Sequence, residues 1–248
     1  MEKTKDYIFG IRAVIESVES GKTIHRLLIK RGLQGDLFHE MMTLVKKHGI
    51  PYQLVPQEKL NRITRKNHQG VIAFLSFVDF YDLEQLLPAL FEQGKNPAIM
   101  ILDRISDVRN FGAISRTAEC AGFDAVVIPG KEAAHINADA MKTSAGALNY
   151  IPVCRTKSLS ETVEFLKNSG LSIVVATEKA EQEYFKISYT NPLGIIMGSE
   201  GKGVSDKLIS LADHWVRIPV NGKIDSLNVS NAAAILMYET VRQRLAHD

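Results

Sequence analysis

Three segments in the last two thirds of the 248-residue chain combine glycine with compact polar side chains: residues 103–117, 195–203 and 218–231. They read Asp-Arg-Ile-Ser-Asp-Val-Arg-Asn-Phe-Gly-Ala-Ile-Ser-Arg-Thr, Ile-Ile-Met-Gly-Ser-Glu-Gly-Lys-Gly and Ile-Pro-Val-Asn-Gly-Lys-Ile-Asp-Ser-Leu-Asn-Val-Ser-Asn. Each follows an apolar run of strand length and leads into a helical pattern. All three are therefore read as strand-to-helix turns, where open α/β sheets place their ligand crevice, and together they predict one composite site. Gly198, directly after the strand Leu193–Met197, removes a side chain where backbone must bend or approach a ligand, and Gly201 and Gly203 extend that tolerance. A planar adenine could fit there. Thr177, just past the strand ending at Ala176, is a further edge of the pocket.

Asn110 and Arg116 stand six apart at the start of one helix, close to two turns, so they need not share a face. With Asn110 ahead of the first regular turn, both could still border one pocket. An ordinary helix arginine would instead pair with Asp103 or Asp107. Glu200 sits among glycines and could orient an arginine or take a backbone donor. Ser226 and Asn228 precede the final helical run, where both are as well suited to capping as to binding.

Better-known templates fit poorly. The dinucleotide fingerprint needs Gly-x-Gly-x-x-Gly after the first strand, but Gly201-Lys-Gly-Val-Ser-Asp206 lacks the last glycine and comes late. A phosphate-binding Walker loop fails at Gly198-Ser-Glu-Gly-Lys-Gly203 on spacing and on the hydroxyl after lysine. No Gly-x-Ser-x-Gly elbow occurs, and the seven histidines share no metal-ligand spacing.

The elements that must hold these turns follow from periodicity. A small α/β domain is expected over residues 1–78: helix Ile8–Glu19, strand His25–Lys30, helix Asp36–Lys47, strand Tyr52–Val55, helix Gln57–Ile63 and strand Val71–Phe77. Residues 79–96 form the connection, with a short helix Asp82–Gln93. Over residues 97–248 the pattern alternates: strand Ala98–Leu102, helix Phe111–Gly122, strand Asp124–Ile128, helix Ala138–Ala147, strand Tyr150–Val153, helix Leu159–Ser169 and strand Leu171–Ala176. Strand Leu193–Met197, helix Val204–Ala212, strand Trp215–Ile218 and helix Val229–Leu245 complete it. Such alternation predicts a mainly parallel sheet covered by helices.

Composition is that of a soluble globular protein, 45% hydrophobic and 23% charged. The polar start Met1–Asp6 lacks a signal-peptide stretch and no apolar run reaches membrane-span length, so a cytoplasmic location is expected. Cys120 and Cys154 are read as reduced core thiols rather than a disulfide framework or zinc site. Charge is unevenly spread. Residues 1–80 hold 13 Lys and Arg against 8 Asp and Glu, a formal +5, whereas the remainder holds 17 against 20, a formal −3. Lys30-Arg31, Lys46-Lys47-His48 and the run Arg62, Arg65, Lys66, His68 suit phosphate contacts, or form a solvated surface.

In order and content the three segments resemble the SpoU (TrmH) family of RNA 2′-O-ribose methyltransferases, within the SPOUT superfamily, over about Ile99–Arg244. Tyr7-Ile-Phe-Gly-Ile-Arg-Ala-Val14 and Asn67-His-Gln-Gly-Val-Ile-Ala73 look like that family's substrate-binding domain. The resemblance implies a SPOUT catalytic domain with a deep trefoil knot, a small N-terminal α/β RNA-binding domain and a homodimer built on the last helix. It implies S-adenosylmethionine as methyl donor, held near Thr177, Gly198, Ile218 and Leu227, and no metal or membrane. Asn110, Arg116, Glu200, Ser226 and Asn228 fall on the family's catalytic and RNA-facing positions. Arg116 would clamp the target phosphate or, as proposed for the family, take the hydroxyl proton, although an arginine normally stays protonated. The implied substrate is a guanosine of large-subunit ribosomal RNA, with transfer RNA as the alternative. A catalytically silent RNA-binding assembly factor and a nucleotide-binding oxidoreductase are the other classes. The first segment departs from the family in having Val108 where proline usually follows the aspartate.

Overall fold

The computed structural model describes residues 7–134 and 136–246; the polar start Met1–Asp6 lies outside them. The chain forms two compact units, the first ending at Asp79 and the second starting at Phe80.

The first unit runs β1 (Tyr7–Phe9), α1 (Ile11–Glu19), β2 (Ile24–Lys30), α2 (Asp36–Lys47), β3 (Tyr52–Val55), α3 (Gln57–Ile63) and β4 (Val71–Leu75). Its sheet has the order β1-β4-β2-β3, with only β2 and β3 parallel. Side chains alternate across a strand, so Leu27 and Ile29 meet Val14, Met41 and Val45 of α1 and α2 on one face. Leu28 and Ile72 meet Leu60 of α3 on the other. Tyr7–Phe9, expected to enter the first helix, is instead a strand paired with Ile72–Phe74. Gly10, at φ +94°, breaks the chain between strand and helix and donates its N–H to Val71 O at 3.0 Å.

The second unit runs β5 (Phe80–Tyr81), α4 (Leu83–Glu92), β6 (Ala98–Asp103), α5 (Val108–Cys120), β7 (Ala125–Pro129), α6 (Ala138–Thr143), β8 (Val153–Thr156), α7 (Leu159–Asn168), β9 (Ser172–Ala176), β10 (Leu193–Gly198), α8 (Asp206–Leu211), β11 (His214–Val216) and α9 (Val229–Leu245). Seven strands lie in the order β11-β9-β10-β6-β7-β8-β5, every neighbouring pair parallel. Buried on both faces, the central strands are continuous apolar runs: Ala98–Leu102 and Leu193–Met197 are each 3% exposed or less wherever the side chain is apolar. The α/β architecture with a mainly parallel sheet is as expected.

Local differences have local causes. The segment taken as a connection contributes β5, whose Phe80 and Tyr81 pair with Val153 and Cys154. The strand expected at Tyr150–Val153 begins only at Val153, because Ala147–Asn149 forms a 3₁₀ turn that leaves Tyr150 exposed. Helix α6 stops at Thr143, ahead of left-handed Ala145 and Gly146. Cys154 is buried, and burial together with nearby Asp82 pushes its thiol up to about 12, but Cys120 is exposed and is not a core thiol. Among the described residues no helix is long and apolar enough to cross a membrane.

Candidate active site at the carboxyl edge of the parallel sheet

In a parallel sheet all strand ends of one kind share an edge, so the turns after β6, β10 and β11 emerge together. The chain order reverses between β6 and β10, with β7 and β8 on one side and β9 and β11 on the other. That reversal is the switch point at which such sheets leave a crevice.

The first turn is built around two aspartates. Asp107 caps α5, its Oδ1 accepting from Arg109 N at 2.9 Å and Asn110 N at 2.8 Å. Val108 takes the first helical position that proline would favour, and the cap bonds are made without it. Asp103, 5% exposed, accepts from Ser205 N at 2.7 Å and pairs with Arg104 at 3.4 Å. Arg104, at φ +58°, donates in turn to Gly203 O at 3.1 Å. These bonds tie the first turn to the second.

In the second turn the chain folds back on itself. Gly203 N donates to Ser199 O at 2.8 Å, closing a tight bridge, and a Cβ at Gly198 would run into the backbone of Gly203 and Val204. Gly198 is required here for close approach, because its φ is not left-handed. Beside this turn lies a cavity of about 630 Å³, within the range of small-molecule sites. Thr177, Gly198, Ile218 and Leu227 all line it, as do Glu200 and Ser226.

The third turn delivers α9. Asn228 is its cap, with Oδ1 accepting from Ser230 N at 2.9 Å, so the capping role applies to Asn228 and not Ser226. The same side chain has a second task. Its Nδ2 donates to Asn110 Oδ1 at 3.0 Å and to Glu200 Oε1 at 2.6 Å, and Asn110 Nδ2 donates to the same Glu200 oxygen at 3.1 Å. The three turns thus meet in a triangle of Asn110, Glu200 and Asn228. Glu200 binds neither an arginine nor a backbone donor; it collects two side-chain amides through Oε1 and leaves Oε2 without a partner.

Arg116 stands apart from this triangle. Asn110 is the third residue of α5, inside the first turn and not ahead of it. Six residues on, Arg116 is displaced about 9 Å along the axis and about a third of a turn around it. It is exposed, and it pairs with neither Asp103 nor Asp107, both of which are engaged elsewhere. Composition could not single out Asp103, Arg104 and Lys179. Lys179 lines the cavity and holds Asp206 at 2.8 Å, while Asp103 acts through bonds spanning about a hundred residues, which no local pattern carries.

Comparison with known proteins accords with this geometry. Residues 97–238 match the model of the SpoU rRNA Methylase family, and residues 7–81 match a model described as RNA 2′-O ribose methyltransferase substrate binding. YacO of Bacillus subtilis, assigned by name to the TrmH family of tRNA/rRNA methyltransferases, is 34% identical over 98% of both chains. A Staphylococcus saprophyticus protein assigned by name to the same family is 35% identical over 96% of this chain and 95% of its own. The crystal structure of the SpoU methyltransferase AviRb from Streptomyces viridochromogenes, in complex with the cofactor AdoMet, superposes with a TM-score of 0.61. It is 26% identical and covers 97% of this chain and 90% of AviRb. With both halves matched in order and full-length relatives above 30% identity, the chain belongs to the SpoU (TrmH) family of RNA methyltransferases.

Proposed function

We propose that the protein transfers the methyl group of S-adenosylmethionine to a ribose 2′-hydroxyl of RNA, with a guanosine of large-subunit ribosomal RNA as the favoured target. The observation that carries this reading is the meeting of the three turns: a cavity of about 630 Å³ bordered by the Asn110–Glu200–Asn228 triangle. The residues present fit an adenosine-sized donor. Gly198 leaves bare backbone at the wall, Ile218 and Leu227 offer apolar surface to a ring, and Thr177 supplies a hydroxyl beside it. When bound there, S-adenosylmethionine supplies an electrophilic methyl group.

The chain's own residues then have separable tasks. Asn110 and Asn228 lock the Glu200 carboxylate by donating to Oε1, and the unpartnered Oε2 is the acceptor we assign to the 2′-hydroxyl proton. Arg116, permanently charged and free of internal partners, clamps the phosphate beside the target ribose. Ser226, on the cavity wall, contacts the same nucleotide. The first unit, formally basic, holds the surrounding RNA. A homodimer through α9, whose Tyr238 and Leu245 are exposed, completes the proposed assembly.

The test is transfer of labelled methyl from S-adenosylmethionine to bacterial ribosomal RNA and to transfer RNA, with digestion to nucleosides to find the methylated position. Guanosine methylated on its ribose, in ribosomal RNA, is expected. Arg116→Ala should lower the rate at least a hundredfold while calorimetric affinity for S-adenosylhomocysteine stays within a factor of two. Label on a base removes the 2′-O assignment, label in transfer RNA alone changes the substrate, and equal rates for wild type and variant remove Arg116 from the mechanism.

A further inference from the structure

A second concavity lies wholly within the first unit, at the junction of β2, α3 and the turn before β4. Its volume is about 350 Å³, and its walls include Lys30, Gln57, Asn61, Lys66, Asn67 and His68. No acidic side chain lines it. Neither Lys30 nor Lys66 has an ion-pair partner among the described residues, and exposed Arg31, Arg62 and Arg65 flank them in sequence. Two unpaired cations facing one hollow without an internal counterion make a place for an anion.

The hollow also has a preset polar edge. His68, expected from its basic run to face solvent, is 6% exposed and bonded on both ring nitrogens. Gly70 N donates to Nδ1 at 3.0 Å, so Nδ1 is the acceptor and the ring proton sits on Nε2. Nε2 must then donate to Asn61 Oδ1, 2.8 Å away. That bond fixes which way the Asn61 amide points: its oxygen is held by His68, and its NH₂ group, bonded to nothing else in the structure, is the free end. The backbone that makes this possible is unusual. Gln69 lies at φ +50° and Gly70 at φ +80°, and a Cβ on Gly70 would press on Lys30 and Leu33 at 3.2 Å. A buried histidine and two left-handed residues thus hold one exposed amide as a donor beside two free lysines.

We propose that this hollow takes a single unpaired ribonucleotide of the RNA substrate, distinct from the one that is methylated, with its phosphate on Lys30 and Lys66 and a keto oxygen of its base on the Asn61 NH₂. The chemistry favours guanine or uracil, which present a keto oxygen where adenine and cytosine present an amino group. Single-stranded RNA is the fitting class because its base edges are open to side-chain hydrogen bonds, which an A-form duplex denies in its narrow major groove. The proposal rests on the reading of the protein as an RNA-modifying enzyme. It adds a specificity site to that reading.

The experiment uses the full-length protein and four single-stranded decamers, rU10, rG10, rC10 and rA10, measured by fluorescence anisotropy over a salt series. Wild type should bind rU10 and rG10 about tenfold more tightly than rC10 and rA10. Asn61→Ala should bring the four affinities together. Asn61→Asp keeps the acceptor for His68 and replaces the free donor by a second acceptor, so it should turn the preference towards rC10 and rA10. Lys30→Ala with Lys66→Ala should weaken all four alike and make the slope of log affinity against log salt shallower by about 1.4. Asn61 and Lys66 are exposed, and an unchanged unfolding midpoint for each variant excludes misfolding. Affinities and base preference unchanged in Asn61→Ala and Asn61→Asp overturn the proposal even if methyl transfer proceeds. The expected preferences in a protein that transfers no methyl would uphold this pocket and remove the proposed reaction instead.

Discussion

Asn228 holds two structural roles in one side chain, and they can be separated. Its Oδ1 caps α9 by accepting from Ser230 N at 2.9 Å, and its Nδ2 serves Asn110 and Glu200. Asn228→Ala removes both, and loss of the cap should cost about 1 kcal/mol of stability. Asn228→Asp keeps an acceptor for the cap but sets a carboxylate against Glu200, so the donor is lost and like charges meet. If the triangle orders Glu200 for proton transfer, Asn228→Asp should unfold within about 0.5 kcal/mol of wild type and still lose at least tenfold in methyl-transfer rate. Urea titration gives the first number and single-turnover transfer the second. Full activity in Asn228→Asp would reduce the residue to a cap.

At the scale of elements, the second turn concentrates its constraint in one glycine. Gly198 faces the backbone of Gly203 and Val204, whereas an added Cβ at Gly201 would meet nothing within 4 Å and its φ is not left-handed. Gly198→Ala must therefore push the turn open, at about 1–3 kcal/mol and with at least a tenfold loss of S-adenosylhomocysteine affinity. Gly201→Ala should change neither by a measurable amount. Calorimetry on the two variants side by side makes the comparison, and equal losses in both would mean that flexibility, and not close approach, is what the turn requires. The sequence made the turn visible through its three glycines but did not distinguish among them, because the obstacle is backbone brought there by the Ser199–Gly203 bridge. The same limit governs the strands. Ala98–Asp103 and Leu193–Gly198 are legible as unbroken apolar runs because both their faces are buried, whereas Tyr7–Phe9 and Phe80–Tyr81 exist only through partners far along the chain, Phe74 and Val153 among them. In the site, the cavity-lining residues were legible from their place after strands. The Asn110–Glu200–Asn228 bonds, spanning up to 118 positions, were not.

For the whole molecule, acid should act first on the second unit, because the carboxylates held below their ordinary range all lie there. Burial pushes the Asp213 carboxyl up, but the bond from Lys167 and the Ile173 N–H at 2.8 Å outweigh it, and the group ends below its usual value. Glu239 is lowered chiefly by its paired bonds to Arg242, helped by Gln243 and opposed by burial. A carboxylate that is more acidic folded than unfolded binds fewer protons in the folded state. Its contribution is present above the unfolded value, about 4, and is lost as pH falls through the folded one. Stability should therefore be level from pH 7 to about pH 5 and fall below that. Trp215, the only tryptophan, sits in β11 two residues from Asp213 and reports this unit alone. Its fluorescence midpoint in urea should drop between about pH 5 and pH 3. Asp213→Asn should start lower at pH 7 and drop less, because the proton-linked part of the Lys167 and Ile173 contacts is already gone. A wild-type midpoint unchanged down to pH 3, or a variant with an undiminished acid slope, would show that these ion pairs do not anchor β9 to β11 and that acid acts elsewhere on the fold.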